Sequence, residues 1–132
     1  MKVNTHLGAD PALTGKVVEI GDGTATASLD ASATMTVDDR GLVHGGFVFG
    51  LADFAAMLAV NDPNVVLGGA ATRFLKPVVE GDRVVARART MESRGRKREV
   101  QVEAHVGSTK VFEGTFTCFV LEHHVLDGPG SE

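Results

Sequence analysis

Between Gly45 and Val60 the chain reads GGFVFGLADFAAMLAV, sixteen residues in which Asp53 is the only side chain that can carry charge. No other stretch limits the fold as strongly. Phe47, Leu51, Phe54, Ala55 and Leu58 recur at helical spacing on one side, and Phe49, Ala56, Met57 and Val60 on another. A polar, glycine-containing approach, DDRGLVHGG, leads in, and NDPN ends the run, because Pro63 disfavours helical geometry in the residue before it. A helix that is apolar on every side is a buried helix, so the rest of the chain must wrap around it.

The remainder reads as strands. KVVEI and ATASLDASATMTV, split by GDG, predict two before the helix. VVLGGAATRFLKPV, DRVVARART, EVQVEAHV and KVFEGTFTCFVLE predict four after it, with hairpin-like connections at EGD, SRGRK and GST. Val84, Ala86 and Ala88 alternate with Arg83, Arg87 and Arg89, and Val100, Val102, Ala104 and Val106 with Glu99, Gln101, Glu103 and His105. Each of those strands therefore has one dry face and one wet face. The order is α+β, an antiparallel sheet packed on one helix. One sheet covers only one side of a helix, so the remaining apolar surface should meet a second subunit or a ligand, and a homodimer is the simplest solution.

At 132 residues the chain predicts a single domain, with its core over about residues 14–121 and loose ends. A net charge of −4, with neither Trp nor Tyr, argues against nucleic acid as a partner. The opening MKVNTHLGADPALTG lacks the apolar segment of a secretory signal, and the Gly45–Val60 run falls short of the roughly 20 residues a membrane span requires. The expected location is the cytoplasm, with no membrane partner. Cys118 is the one cysteine, which excludes an internal disulfide, and no Cys/His grouping suggests a metal. Its place in an alternating run predicts a buried, inert thiol.

Asp53 is harder to accommodate. An ionised carboxylate in apolar surroundings costs several kcal/mol or stays protonated, unless it has partners. It shares a helical stripe with Gly46, Phe49, Ala56, Met57 and Val60, which would line a pocket containing one acid. At the helix start, Gly45 and Gly46 leave the unpaired N–H groups and the positive end of the helix dipole open to an anion or a developing oxyanion. Gly45 and Asp53 stand roughly 12 Å apart along the helix. They cannot serve one carbonyl within a chain, but two such helices packed antiparallel across a dimer axis bring Gly45 of one chain beside the partner's Asp53.

Taken together, HGGFVFGLADFAAMLAVN and RFLKPVVEGDRVVARA resemble the hotdog-fold acyl-CoA thioesterases of the phenylacetate-pathway (PaaI-like) type. The likeness runs over about residues 14–121. It rests on His44, Gly45, Gly46, Asp53 and Asn61, then on Phe74, Leu75, Lys76, Pro77, Gly81 and Asp82. It implies a curved antiparallel sheet of about six strands wrapped around one long helix. It also implies dimers that pair into tetramers, and hydrolysis of an acyl-CoA or aryl-CoA thioester without metal or cofactor. Carried onto this chain, the Gly45 amide polarises the thioester carbonyl, and Asp53 acts as general base or nucleophile. His44 orients the helix start or touches substrate, and Asn61 ends the helix or contacts substrate. Gly46, Phe49 and Met57 line the pocket.

Two positions depart from the family pattern. Where some members carry a side-chain amide six residues before the histidine, this chain has Asp38, which cannot donate when ionised. Some place a hydroxyl on the strand after the helix to hold the water, and the nearest here is Thr72. Arg94, Arg96, Lys97 and Arg98 surround Gly95 in the densest basic cluster of an acidic chain, and Arg96 and Lys97 are candidates for the phosphates of coenzyme A. Two other readings compete: an acyl-CoA-binding module without turnover, and a dehydratase on the same fold. The dehydratase would need a histidine paired with the acid, and His44 lies too far along the helix from Asp53.

Overall fold

The computed structural model describes residues 1–127. After a single turn of helix, α1 (Pro11–Thr14), the chain forms β1 (Lys16–Gly21) and β2 (Thr24–Asp30), then the long helix α2 (Gly45–Val60). Four strands follow: β3 (Val65–Phe74), β4 (Arg83–Arg94), β5 (Lys97–Val106) and β6 (Thr109–Val120). They make one antiparallel sheet in the order β1-β2-β4-β5-β6-β3, with β1 and β3 at its edges. This is the α+β hotdog arrangement that the resemblance implies. No helix among the described residues is long and apolar enough to cross a membrane.

Small residues let the sheet close on the helix. Ala27, Ala86 and Ala104 stand in register across β2, β4 and β5 and are fully buried. Above them α2 packs on those same strands with Ala52, Ala55, Ala56 and Ala59 buried. Larger side chains fill the flanks, where Leu29, Leu51, Leu58, Phe112 and Phe116 are almost wholly enclosed. Alternation along the strands turns the charged residues Arg87, Glu99 and Glu103 to the opposite, outer face.

Gly15, which ends α1, holds φ 105° and ψ 164°. That region is open almost only to glycine, and a Cβ there would lie 2.6 Å from Leu51 Cδ1 and 3.0 Å from the Ser28 carbonyl oxygen. Gly15→Ala is expected to cost about 1–3 kcal/mol, read as a lower urea midpoint with an unchanged slope.

Three expectations change. The second strand stops at Asp30, and Ala33–Met35 is a 3-10 turn, so ATASLDASATMTV is not one continuous strand. EGD is not a hairpin, because β3 pairs with β6 at the far edge while β4 pairs with β2 and β5. Backbone bonds from Ala31 N–H to Asp82 O and from Gly81 N–H to Ala31 O fasten that loop to the end of β2. The third change concerns the outer side of α2, expected to be left for a partner or ligand. The chain's own first residues cover part of it. The Asn61 amide donates to Lys2 O at 2.8 Å, its oxygen accepts from Asn4 N–H at 2.7 Å, and Val3 and Ala9 pack against the core.

Candidate active site

The start of α2 is fixed by backbone. His44 precedes it in extended geometry, and its N–H donates to Met35 O at 2.9 Å. Its side chain makes no cap; the imidazole lies over Gly46, where a Cβ would sit 3.0 Å from the ring, and meets the Phe47 ring edge-on at 6.2 Å. Neither the Gly45 nor the Gly46 N–H finds an acceptor among the described residues. Asp38 has other work, its carboxylate accepting the N–H groups of Arg40 and Leu42 at 3.0 and 3.1 Å. The position that carries an amide in some family members therefore shapes the loop before the helix.

Gly45 lies in a groove of about 230 Å³ whose opposite wall is Phe74, Leu75, Lys76 and Pro77. The two sequence motifs thus meet in space. A side chain at residue 45 would reach within 3.2 Å of Phe74 Cε1, so glycine is what lets the strand end close over the helix start. Phe74 is 56 % exposed although it is paired opposite the buried Phe112, with their rings edge-on at 5.1 Å. Residues directly opposite on paired strands share a face, so Ala70, Thr72 and Phe74 lie on the inner face with Phe116, Gly114 and Phe112. Thr72 leans across Gly114, where an added Cβ would come within 2.7 Å of its methyl and 3.0 Å of Ala71 O. The inner face at β3 stays open because α2 lies over the middle strands.

Along one stripe of α2, Gly46 is exposed and Phe49, Gly50, Asp53 and Val60 keep partial exposure, while Ala56 and Met57 are enclosed in the core. The expected pocket lining is thus shorter than its periodicity, with Met57 only 1 % exposed. Phe49 stacks on Phe116 at 5.4 Å, which ties the middle of the stripe to β6. Asp53 is half-buried, and its Oδ1 is buried with no hydrogen-bond partner. Burial holds its carboxyl above the ordinary carboxylate value, opposed by the nearby His6. His6 keeps an exposed surface, and its partial burial against α2 holds it below its ordinary value, opposed by Asp53. Cys118, fully buried on β6, is pushed up to about 12 by burial, with Asp53 and Glu99 adding to the effect, and is no nucleophile.

His6 escaped sequence reasoning. It lies 47 residues from Asp53, in a segment without strand or helix periodicity, and no spacing rule connects the two. Asn61 carries both a cap and a clamp: at φ 56° its N–H bonds Met57 O, while its side chain holds the amino-terminal segment. Arg96 and Lys97 sit on the β4–β5 turn, beside the residues that follow α2, since Val120 N–H bonds Arg96 O and Leu121 N–H bonds Asn64 O. Within one chain they are at the opposite end of the helix from Gly45. Arg96 pairs with Glu122 at 2.6 Å and Lys97 with Glu99 at 3.7 Å, on exposed side chains except for the largely covered Glu99. A larger hollow of about 420 Å³, between Glu19, Arg87, Arg89 and His105, lies on the outer face of the sheet, to which the Asp53 stripe does not extend.

A family model for the thioesterase superfamily matches residues 40–113. Over 123 residues the chain is 50 % identical to a methylthioribose-1-phosphate isomerase of Aquifex aeolicus, a match that spans 92 % of this chain but 27 % of that protein. It is 30 % identical over 126 residues to the transcription factor FapR of Caldanaerobacter subterraneus, covering 95 % of this chain and 62 % of the relative. The chain thus spans about a quarter and just over three fifths of these two curated relatives. Among solved structures, an uncharacterized protein from Pyrococcus horikoshii superposes with TM-score 0.95 at 50 % identity, covering 96 % of this chain and 98 % of the other. A mutant of the phenylacetic acid degradation protein PaaI from Thermus thermophilus superposes with TM-score 0.77 at 33 % identity, over 85 % and 100 % of the two chains.

Proposed function

The chain belongs to the thioesterase superfamily, and from that premise we propose that it hydrolyses an acyl-CoA or aryl-CoA thioester to the free acid and coenzyme A. The observation that carries this reading is the desolvated, unpartnered oxygen of Asp53 on an otherwise apolar helix. A carboxylate raised by burial is a stronger base than one in water, and its proton affinity lies closer to working pH. As base, Asp53 takes a proton from water while the water oxygen adds to the thioester carbon. The carbonyl electrons move to the oxygen, which the Gly45 N–H receives. Collapse re-forms the carbonyl and breaks the C–S bond, and the proton held by Asp53 passes to the leaving sulfur. As nucleophile, the same carboxylate would attack the thioester carbon and expel coenzyme A as its thiolate, forming a mixed anhydride that water then opens at the Asp53 carboxyl carbon to release the free acid. Single-turnover hydrolysis in heavy-oxygen water separates the two routes, since only the second leaves label in the protein carboxyl.

The site requires two chains. Gly45 and Asp53 stand roughly 12 Å apart on one helix, so an antiparallel pair of α2 helices forms each site from Gly45 of one protomer and the partner's Asp53. Edge strand β3 supports such pairing, because Val65 to Thr72 carries no charge or proline to protect its free edge. The same antiparallel arrangement brings the partner's Arg96 and Lys97 toward the Gly45 groove, where they suit the phosphates of coenzyme A. His44 and Gly46 shape the helix start, and Phe49 and Thr72 face the acyl group.

A mixing experiment tests the composite site. Asp53→Asn and Gly45→Val homodimers should each be inactive, the second because a branched side chain displaces Phe74 from the helix start. After denaturation and joint refolding at equal amounts, half the dimers are hybrids with one intact site, so activity should return to about one quarter of the parent. No recovery in verified hybrids would place both residues of a site in one chain. A second reading, a module that binds acyl-CoA without turnover, draws support from the FapR relatives, which are transcription factors. Coenzyme A release over a panel of acyl-CoAs decides between them: saturable binding with no turnover on any thioester favours the module.

A further inference from the structure

The first nine residues form a strap across the outer side of α2, and its fastenings are specific. Asn61 holds it at two backbone positions, through Lys2 O and Asn4 N–H. Thr5 is 4 % exposed, and its hydroxyl shares a hydrogen bond with His6 Nδ1 at 2.8 Å. His6 itself sits at φ 55°, a conformation a histidine adopts at a cost, and Ala9 N–H closes a turn onto His6 O at 3.2 Å. This strained turn lays the imidazole against Phe54, with ring centroids 6.4 Å apart, one residue along α2 from the carboxylate whose Oδ1 has no partner. We propose that His6 is a positioning residue for Asp53: the strap holds a titratable imidazole on Phe54, beside the half-buried carboxylate, and so adjusts the pH range in which that carboxylate is ionised.

Strain held in place by a double amide clamp and a buried threonine requires tertiary structure to maintain it, and its product is the placement of one ring. Among the described residues, the ionisable groups coupled to Asp53 are His6 from the strap and Cys118 from β6. Cys118 stays a neutral thiol across the working range, which leaves His6 as the titrating neighbour. Protonated, His6 favours the ionised carboxylate; neutral, it does not. The two groups approach each other in proton affinity, because burial raises the acid and lowers the base. No hydrogen bond or ion pair joins the two among the described residues, so the coupling acts across space, from a segment outside the expected core.

The inference rests on the proposed hydrolysis for its kinetic arm alone, and its first readout needs no substrate. Carbon-13 NMR of labelled aspartates, with Asp53 assigned by its loss in Asp53→Asn, follows the Asp53 carboxyl in the parent, in His6→Asn and in Asn61→Gly. Asparagine suits a positive φ and keeps hydrogen-bonding capacity but cannot titrate; glycine at 61 keeps the left-handed cap but frees the strap. Both variants should move the Asp53 midpoint to higher pH. In hydrolysis, His6→Asn should lower kcat/KM about threefold or more at pH 5, with a smaller loss at pH 8. An unchanged midpoint in His6→Asn overturns the inference even if hydrolysis is robust. An unchanged midpoint in Asn61→Gly overturns the role of the clamp. A midpoint that moves in a protein without thioester turnover keeps the pairing and removes the hydrolase reading.

Discussion

Asp53→Asn is expected to lower kcat for thioester hydrolysis by about 10²–10⁴-fold while leaving thermal stability at neutral pH undiminished. Asparagine has nearly the same shape but can neither take a proton from water nor form an anhydride, so both chemical routes close. The stability half follows from the direction of the carboxyl shift. Asp53 is raised in the folded protein above its ordinary value of 3.8. Its contribution to stability is therefore fully present below that value and is lost as pH rises through the folded midpoint. At neutral pH the ionised group is a liability, with one buried oxygen unpaired, and the neutral amide relieves it. Thermal melts of parent and variant between pH 4 and pH 8 should show the parent losing ground to the variant as pH rises. A variant that loses activity together with its fold would mark Asp53 as a structural residue, and full turnover in a folded variant would remove it from the chemistry.

Phe116→Ala carries the largest expected stability effect. Phe116 is fully buried, stacks on Phe49 of α2 at 5.4 Å and lies 6.3 Å from Phe112, so one ring joins the helix to β6. Removing it combines lost burial with a cavity that the flanking rings cannot fill, at about 3–5 kcal/mol. For a chain of 132 residues that corresponds to a fall in Tm of roughly 10–18 °C. Phe74→Ala makes the control. That ring touches Phe112 from an exposed position, and its loss should cost only about 0.5–1.5 kcal/mol in the isolated chain. Because Phe74 also walls the Gly45 groove, its removal should weaken substrate binding more than folding. If the two variants melt together, the division between an enclosed core at Phe116 and an open inner face at Phe74 is wrong.

The amino-acid sequence determined the elements and their chemistry. An all-apolar run with one acid, closed by NDPN, specified a buried helix from Gly45 to Val60, and strict alternation specified which faces of β4 and β5 are dry. These signals are local: helical and strand periods act within a few residues, and the aspartate stands out because every neighbour is apolar. Local signals could also mislead, as when the alternation past Asp30 suggested a strand where the chain turns.

Tertiary structure decided what depends on residues distant in the chain. Edge position for β3 follows from its pairing with β6 rather than β4, which no period in either strand encodes. The meeting of Gly45 with Phe74 to Pro77 follows from that pairing, as does the side of β3 on which Thr72 lies. Met57 left the expected pocket lining for the core, and Asn61 fastened the amino-terminal segment through Lys2 and Asn4. His6 depends on that placement most of all. Its backbone geometry, its hydrogen bond to Thr5 and its place beside Phe54 arise only when the strap is held, so a residue with no sequence signal becomes a titrating neighbour of the one acid that the sequence marked.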